Sequence, residues 1–255
     1  MNADTDRSGR ALLELVSGLG VRFGRERSFR LSPGLLLTDR CLFSMSRTSL
    51  GAGAVRAITD ICWHLGMPEE VAGEVRDLVE GADFVHFGYE GTDQSQVYKV
   101  YLEGLPDRKN GPIVLHRAYK WVAGQAGVVR TRYIWHPDLS EDQILKRMEG
   151  VSGEIAGEIL GLAVGRMSGP VRYMEVEEEG SLRRSFDLNL YDAGLAVEDL
   201  LPQLGGACAA FSILPSGLFG FVERIGKQRL GHVAGGLHRR GEPFLTIYHG
   251  IEAFP

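Results

Sequence analysis

Residues Gln96–Glu103, QVYKVYLE, alternate with a period of two. On a β-strand that period places Val97, Lys99, Tyr101 and Glu103 on one face and Gln96, Tyr98, Val100 and Leu102 on the other. A Lys and a Tyr two positions apart on one strand face can act on the same ligand. The spelling recurs in weaker form. RRSFDLNLYDA carries Asn189 and Tyr191, and EPFLTIYHG carries Thr246 and Tyr248. Three predicted strands thus end in polar–apolar–Tyr, each as the second arm of a hairpin.

Working outward, the punctuation of the chain gives hairpins separated by helices. Leu12, Leu15, Val16 and Leu19 predict an amphipathic helix over Arg10–Phe23, after a polar, frayed start at residues 1–9. Ser28–Arg47, with turn signals at Pro33-Gly34 and Thr38-Asp39, reads as a hairpin. Ala54–Leu65 and a segment beginning at Pro68, with Glu69 and Glu70 in its first turn, read as two short helices. Strands follow at Phe84–Glu90 and Gln96–Glu103. After the turn-rich residues 104–112 come strands at Ile113–Val122 and Val128–Trp135. Ser140 and Gln143 form a capping-box signature for one helix running to about Arg166. Strands are then expected at Val171–Glu177 and Arg184–Tyr191. A helix at Leu195–Leu204, shortened by Pro202, and another at Pro215–Ile225 precede a last hairpin, His232–His238 with Phe244–His249. The unit is αα then ββ, repeated, and the chain reads as one domain over 1–255, with the repeats from about 28 to 250.

Bulk composition narrows the function classes. The 255 residues are 44% apolar and 24% charged, with net charge -5 and pI about 5.8. No overall basic field favours nucleic acid or an anionic membrane. Cys41, Cys62 and Cys208 are scattered and odd in number, which suits a reducing compartment. No apolar run approaches the roughly 20 residues of a membrane span, and the polar start has no signal-peptide core. The expectation is a cytoplasmic protein without a membrane span.

The second strands decide between an open sheet and a closed one. Phe186, Leu188 and Leu190 oppose Ser185, Asp187, Asn189 and Tyr191; Leu245 and Ile247 oppose Thr246 and Tyr248. The apolar faces need the helices as cover. The polar faces cannot form a dry core, so they meet bulk water or line a wet central cavity. About ten antiparallel strands left open would expose edges, and closure removes them. The expected fold class is therefore α+β: repeated ααββ units forming an antiparallel barrel of about ten strands surrounded by helices, with room for a ligand.

This pattern resembles the ABBA aromatic prenyltransferases, the group that includes the indole prenyltransferases. The resemblance is architectural and covers about residues 28–250. It implies a lumen holding two small-molecule partners, an isoprenoid diphosphate and an aromatic acceptor, and a transferase that moves the prenyl group between them. It implies that Lys99 and Tyr101 form the cation–tyrosine pair of that lumen and that Tyr191 and Tyr248 are the tyrosines of later repeats. Asn189 and Thr246 stand where the family often has a longer or cationic side chain, a departure from its pattern. Arg130 and Arg132 in VVRTRYIW, with Arg117 on the partner strand, are candidates for further diphosphate contacts, as is Arg47. Glu90 is the candidate base that orients the acceptor. A diphosphate of about three negative charges needs several fixed cations, and an allyl cation gains cation–π stabilisation of about 2 kcal/mol or more beside desolvated tyrosine rings. No Asp-rich DDxxD motif is present, so no magnesium-carboxylate site and no cofactor is expected.

Other readings of the same residues are structural. Lys99 and Tyr101 suit an exposed sheet face, Tyr191 and Tyr248 suit packing, and Arg130 and Arg132 suit ion pairs with Glu175 and Glu177 across strands. Glu175–Glu179 reads as a solvated acidic turn. His116, His136, His232, His238 and His249 lack metal-ligand spacing, so no metal is expected. Gly235-Gly236 belongs to no dinucleotide fingerprint, and Ser216 lacks the nucleophile elbow. A barrel that binds a metabolite without turnover, or an α+β interaction protein, remains beside the transferase reading.

Overall fold

The computed structural model describes residues 7–92, 95–104 and 111–255. The secondary elements in order are α1 (Arg7–Ser17), β1 (Phe23–Ser32), β2 (Leu35–Leu37), β3 (Arg40–Ser46), α2 (Ala54–His64), α3 (Glu69–Val79), β4 (Phe84–Thr92), β5 (Ser95–Glu103), β6 (Ile113–Val122), β7 (Val128–Trp135), α4 (Glu141–Arg147), α5 (Gly150–Val164), β8 (Arg172–Glu178), β9 (Ser185–Asn189), α6 (Leu201–Ala210), α7 (Pro215–Ile225), β10 (Leu230–Leu237) and β11 (Pro243–Phe254). All strand pairs are antiparallel. β2 hangs on β1, and β1 also pairs with β11, with Phe29 opposite Ile247 and Arg30 opposite Thr246. That pairing closes a ring of ten strands, as the alternation of the second strands leads one to expect.

Under the helices the strands send their apolar faces outward. On β5, Tyr98, Val100 and Leu102 pack under the helices, while Lys99 and Tyr101 turn into the lumen. The helical jacket comes in two pieces. Helices α1 to α3 cover the outer faces of β1, β3, β4 and β5 around Phe43, Phe87, Ile58 and Val75. Helices α4 to α7 cover β1 and β8 to β11 around Phe29, Leu188, Ile159 and Ile247. Between the pieces, over β6 to β8, lies an open cleft of about 1490 Å³ lined by Arg117, Arg130, Arg132, Lys146, Arg147 and acidic partners.

Several boundaries differ from those expected. Helix α1 starts at Arg7, inside the stretch read as frayed, and ends before Gly20, whose φ of +66° suits glycine; residues 1–6 lie outside the described residues, as does most of the expected loop at 104–112. The predicted long helix is two. Ser140 and Gln143 do form the capping box of α4, but the chain turns at Met148 and restarts at Gly150 (φ +74°) as α5. Pro202 opens α6 rather than shortening a helix, because a first-turn proline lacks only an N–H that has no partner there. Tyr191 lies beyond β9 in a short 3-10 turn.

Candidate functional site: a two-ended lumen

At one end of the lumen a single carboxylate holds four cations. Glu90 on β4 lies 2.5 Å from Arg40, 2.6 Å from Lys99, 3.0 Å from Lys120 and 3.7 Å from Arg30. The barrel register explains this meeting. Lys99 and Lys120 face each other across β5 and β6, Arg40 faces Glu90 across β3 and β4, and Arg30 arrives on β1. Gly88 on β4, opposite Lys99, leaves the space that the Lys99 and Tyr101 side chains fill; a Cβ there would lie 3.3 Å from Lys99 Cβ and 3.5 Å from the Tyr101 ring. Arg40 also donates to Ser28 Oγ and Arg30 to Thr246 Oγ1, and the Arg30 guanidinium sits 4.6 Å over the Phe244 ring. Arg183 lies nearby, 5.4 Å over the same ring and paired with Glu178, which also pairs with Arg239.

Four cations around one carboxylate leave three positive charges with no anionic partner in the cluster among the described residues. The ionisation shifts follow from burial together with that imbalance. Burial alone would push the Glu90 carboxyl up, but Arg40, Lys120, Lys99 and Arg30 together hold it well below its ordinary range. Burial pushes the Lys99 ammonium well below its ordinary range, with Glu90 opposing the fall and Lys120, Arg40 and Arg30 adding to it. Lys120 is lowered for the same reason, and burial beside Arg40 brings even Arg30 down to about 10. Only Arg40, seated directly on Glu90, is raised against its burial.

Tyrosines fill the middle of the lumen. The Tyr101 and Tyr133 rings lie 5.6 Å apart, Tyr133 is 5.5 Å from His116, and Tyr248 is 5.7 Å from His232. Burial raises the hydroxyls of Tyr101, Tyr133 and Tyr248, so they stay protonated and can donate. The remaining cavity among these groups is about 40 Å³, room for a few waters, against several hundred for an ordinary small-molecule pocket.

The far end is rich in histidine and carboxylate. His86 bonds Glu103 at 2.8 Å and Ser44 at 2.7 Å, with His116 beside them. Burial, reinforced by His86, brings His116 down to about 3, so it is neutral. On the neighbouring wall His232 pairs with Asp187 at 2.7 Å, which lifts it to about 9 against the cost of burial. Burial raises Glu26 to about 7, with His232 and a Tyr191 hydrogen bond opposing. The Tyr191 ring meets His232 edge-on at 4.7 Å.

The expected site residues divide. Glu90, Lys99, Tyr101, Thr246 and Tyr248 face the lumen, and Asn189 closes the β9 turn by accepting from the Tyr191 N–H. Arg117, Arg130 and Arg132 do not join them. On β6 and β7 the inward set is His116, Ala118, Lys120, Thr131 and Tyr133; the three arginines point into the outer cleft, where Arg130 pairs with Glu74 and Arg132 with Glu177 at 2.7 Å. Arg47 is also outside, bonded to the Ala82 carbonyl. Glu90 is ionised and saturated by cations, so it is a weak base; Glu26 has the affinity for a proton that Glu90 lacks. Glu178 is no solvated turn residue but is buried between two arginines.

No protein-family model matches the chain, and no curated protein matches it. Among solved structures it resembles AnaPT from Neosartorya fischeri, with a TM-score of 0.50 and 11% identity over 88% of this chain and 77% of that one. It also resembles the NotF prenyltransferase (TM-score 0.49, 12% identity, 88% and 80% covered) and NotF in complex with brevianamide F and DMSPP (0.48, 12%, 88% and 79%). The likeness to AnaPT is one of fold: the closed ten-stranded barrel in a ring of helices, the ABBA architecture. No described helix is long and apolar enough to cross a membrane.

Proposed function

We propose that the chain is a transferase that takes an isoprenoid diphosphate at the cation end of its lumen and moves the prenyl group to an aromatic acceptor among the tyrosines. The observation that carries this reading is the surplus of positive charge at buried Arg40 and half-buried Arg30, Lys99 and Lys120 around Glu90. Buried cations without partners are costly. A diphosphate of about three negative charges supplies the missing partners and favours the charged form of both lysines, which burial disfavours. In the transfer, the allylic C–O bond breaks and its electron pair leaves with the diphosphate. A ring carbon of the acceptor forms the new C–C bond, and the ring proton passes to a base, for which Glu26 is suited. The faces of Tyr101, Tyr133 and Tyr248 stabilise the cation between these steps. Because the free volume is only about 40 Å³, loading requires Lys99, Lys120 and the tyrosines to swing aside.

The narrow lumen favours one second reading, a barrel that binds a small anion without turnover. Incubation of the purified chain with dimethylallyl or geranyl diphosphate and a set of indole and phenol acceptors, followed by mass spectrometry, separates the two. A product heavier by one prenyl group, absent in Lys99→Ala, supports transfer. Thermal protection by inorganic diphosphate, with no protection by the prenyl esters and no product, supports the anion carrier.

A further inference from the structure

The histidine end of the lumen holds an arrangement that the cation end does not use. His86 on β4, Glu103 on β5 and His116 on β6 sit on three adjacent strands, and one ligand atom from each lies within 4.8 Å of the others. The Glu103 carboxylate oxygen is 2.8 Å from His86 Nε2 and 4.0 Å from His116 Nδ1. His116 Nδ1 is buried and has no hydrogen-bond partner. A buried polar atom without a partner calls for a water or an ion.

We infer that His86, Glu103 and His116 bind a divalent first-row transition ion of the zinc class, with its open coordination side turned toward the tyrosines of the lumen. The donor set fits that ion. Two imidazoles and a carboxylate suit zinc, ferrous iron or cobalt, whereas magnesium and calcium take oxygen. Ligands held at about 2.1 Å in tetrahedral geometry lie about 3.4 Å apart, and the observed 2.8 and 4.0 Å straddle that spacing, so shifts of under an ångström seat the ion. The outer shell is in place: Ser44 Oγ meets the other nitrogen of His86 at 2.7 Å and fixes its ring. Three protein ligands leave at least one position for water or a ligand oxygen. The rings of Tyr101 and Tyr133 stand 6.5 and 5.5 Å from that of His116, so the open side adjoins the acceptor region rather than the cations. Glu90 is four residues from His86 on β4, about 13 Å along the strand, which separates this ion from the cation cluster. Arg172, whose charge is felt at both Glu103 and His116, stacks over Trp135 at 5.4 Å and weakens the site relative to a closed structural one.

The test uses the full chain, stripped with a chelator and titrated with zinc against a chromophoric competitor, then with cobalt to read coordination by visible absorption. One zinc per chain is expected. Affinity should fall by more than about 100-fold in Glu103→Gln and in His116→Gln, and by about 10- to 100-fold in Ser44→Ala. His64→Gln, on an exposed helix end, should leave it unchanged. Circular dichroism checks each variant; if His116→Gln does not fold, Glu103→Gln and Ser44→Ala decide. Failure of the wild-type chain to load at micromolar zinc, or loading equal in Glu103→Gln, overturns the inference.

Discussion

At one end of the lumen four cations crowd a single carboxylate; at the other, His86, His116 and His232 stand among Glu103, Asp187 and Glu26, base beside acid. Both ends are buried in the same barrel, so the difference is not one of solvent. The histidine end settles its charge internally, by a neutral His116, a His86–Glu103 hydrogen bond, a His232–Asp187 pair and a protonatable Glu26. The cation end cannot, because arginine does not give up its proton at ordinary pH and four cations share one carboxylate. A buried region that fails to balance its own charge points to a ligand that balances it. One that balances itself points to proton handling or, at the His86–Glu103–His116 corner, to metal ligation.

The largest effect expected comes from deleting the hub. Glu90→Gln leaves the cations without any anion and should cost about 3–5 kcal/mol, read by chemical denaturation, with millimolar diphosphate recovering more stability in the variant than in wild type. Near-native stability without added anion would mean the cluster is not held by Glu90. At the other end, Glu26 is raised from 4.5 to about 7. Its folded form keeps a proton that the unfolded chain has released. Its contribution is therefore full below pH 4.5 and is lost as pH rises through 7. His232, raised to about 9, adds a loss between pH 6.5 and 9. Glu26→Gln should flatten the fall between pH 5 and 8 by ~2–3 kcal/mol in denaturation midpoints. An unchanged slope would place the proton elsewhere. Lys99→Met removes a cation from the surplus, so stability should rise by about 1 kcal/mol while diphosphate affinity drops about 10- to 100-fold in calorimetry. The smallest effect belongs outside: Arg132→Ala breaks an exposed pair with Glu177 and should shift stability by less than about 0.5 kcal/mol and leave anion affinity alone. A marked loss of affinity there would move the anion site to the outer cleft.

Much of this was legible in the strand pattern. On β5, β9 and β11 one face is plainly apolar, so the inward placement of Lys99, Asp187, Thr246 and Tyr248 follows from alternation, as does closure of the sheet. FVHFGYE sorts likewise, with Val85, Phe87 and Tyr89 outward and His86 and Glu90 inward. The same reasoning misplaced Arg117, Arg130 and Arg132, because no helix covers β6 and β7 at the cleft and both strand faces are polar there. Trp121 and Tyr119, packed outward, carried the missing signal: they put Arg117 on the outer face and Lys120 opposite Lys99. Glu26 was lost because β1 begins at Phe23, where the helix was expected to end, and residues 24–27 carried no assignment; Arg30 fell in the expected Ser28–Arg47 hairpin, whose strand faces were not sorted. The grouping of His86 with Glu103 and His116 depends on register across three strands, which no local spacing in the sequence reveals.

The surplus of charge at the cation end is best tested by calorimetric titration of the wild-type chain and Lys99→Met with inorganic diphosphate at about pH 8. The account predicts one diphosphate per wild-type chain and an affinity about 10- to 100-fold lower in the variant. Absence of binding, or equal affinity in the two proteins, would contradict it.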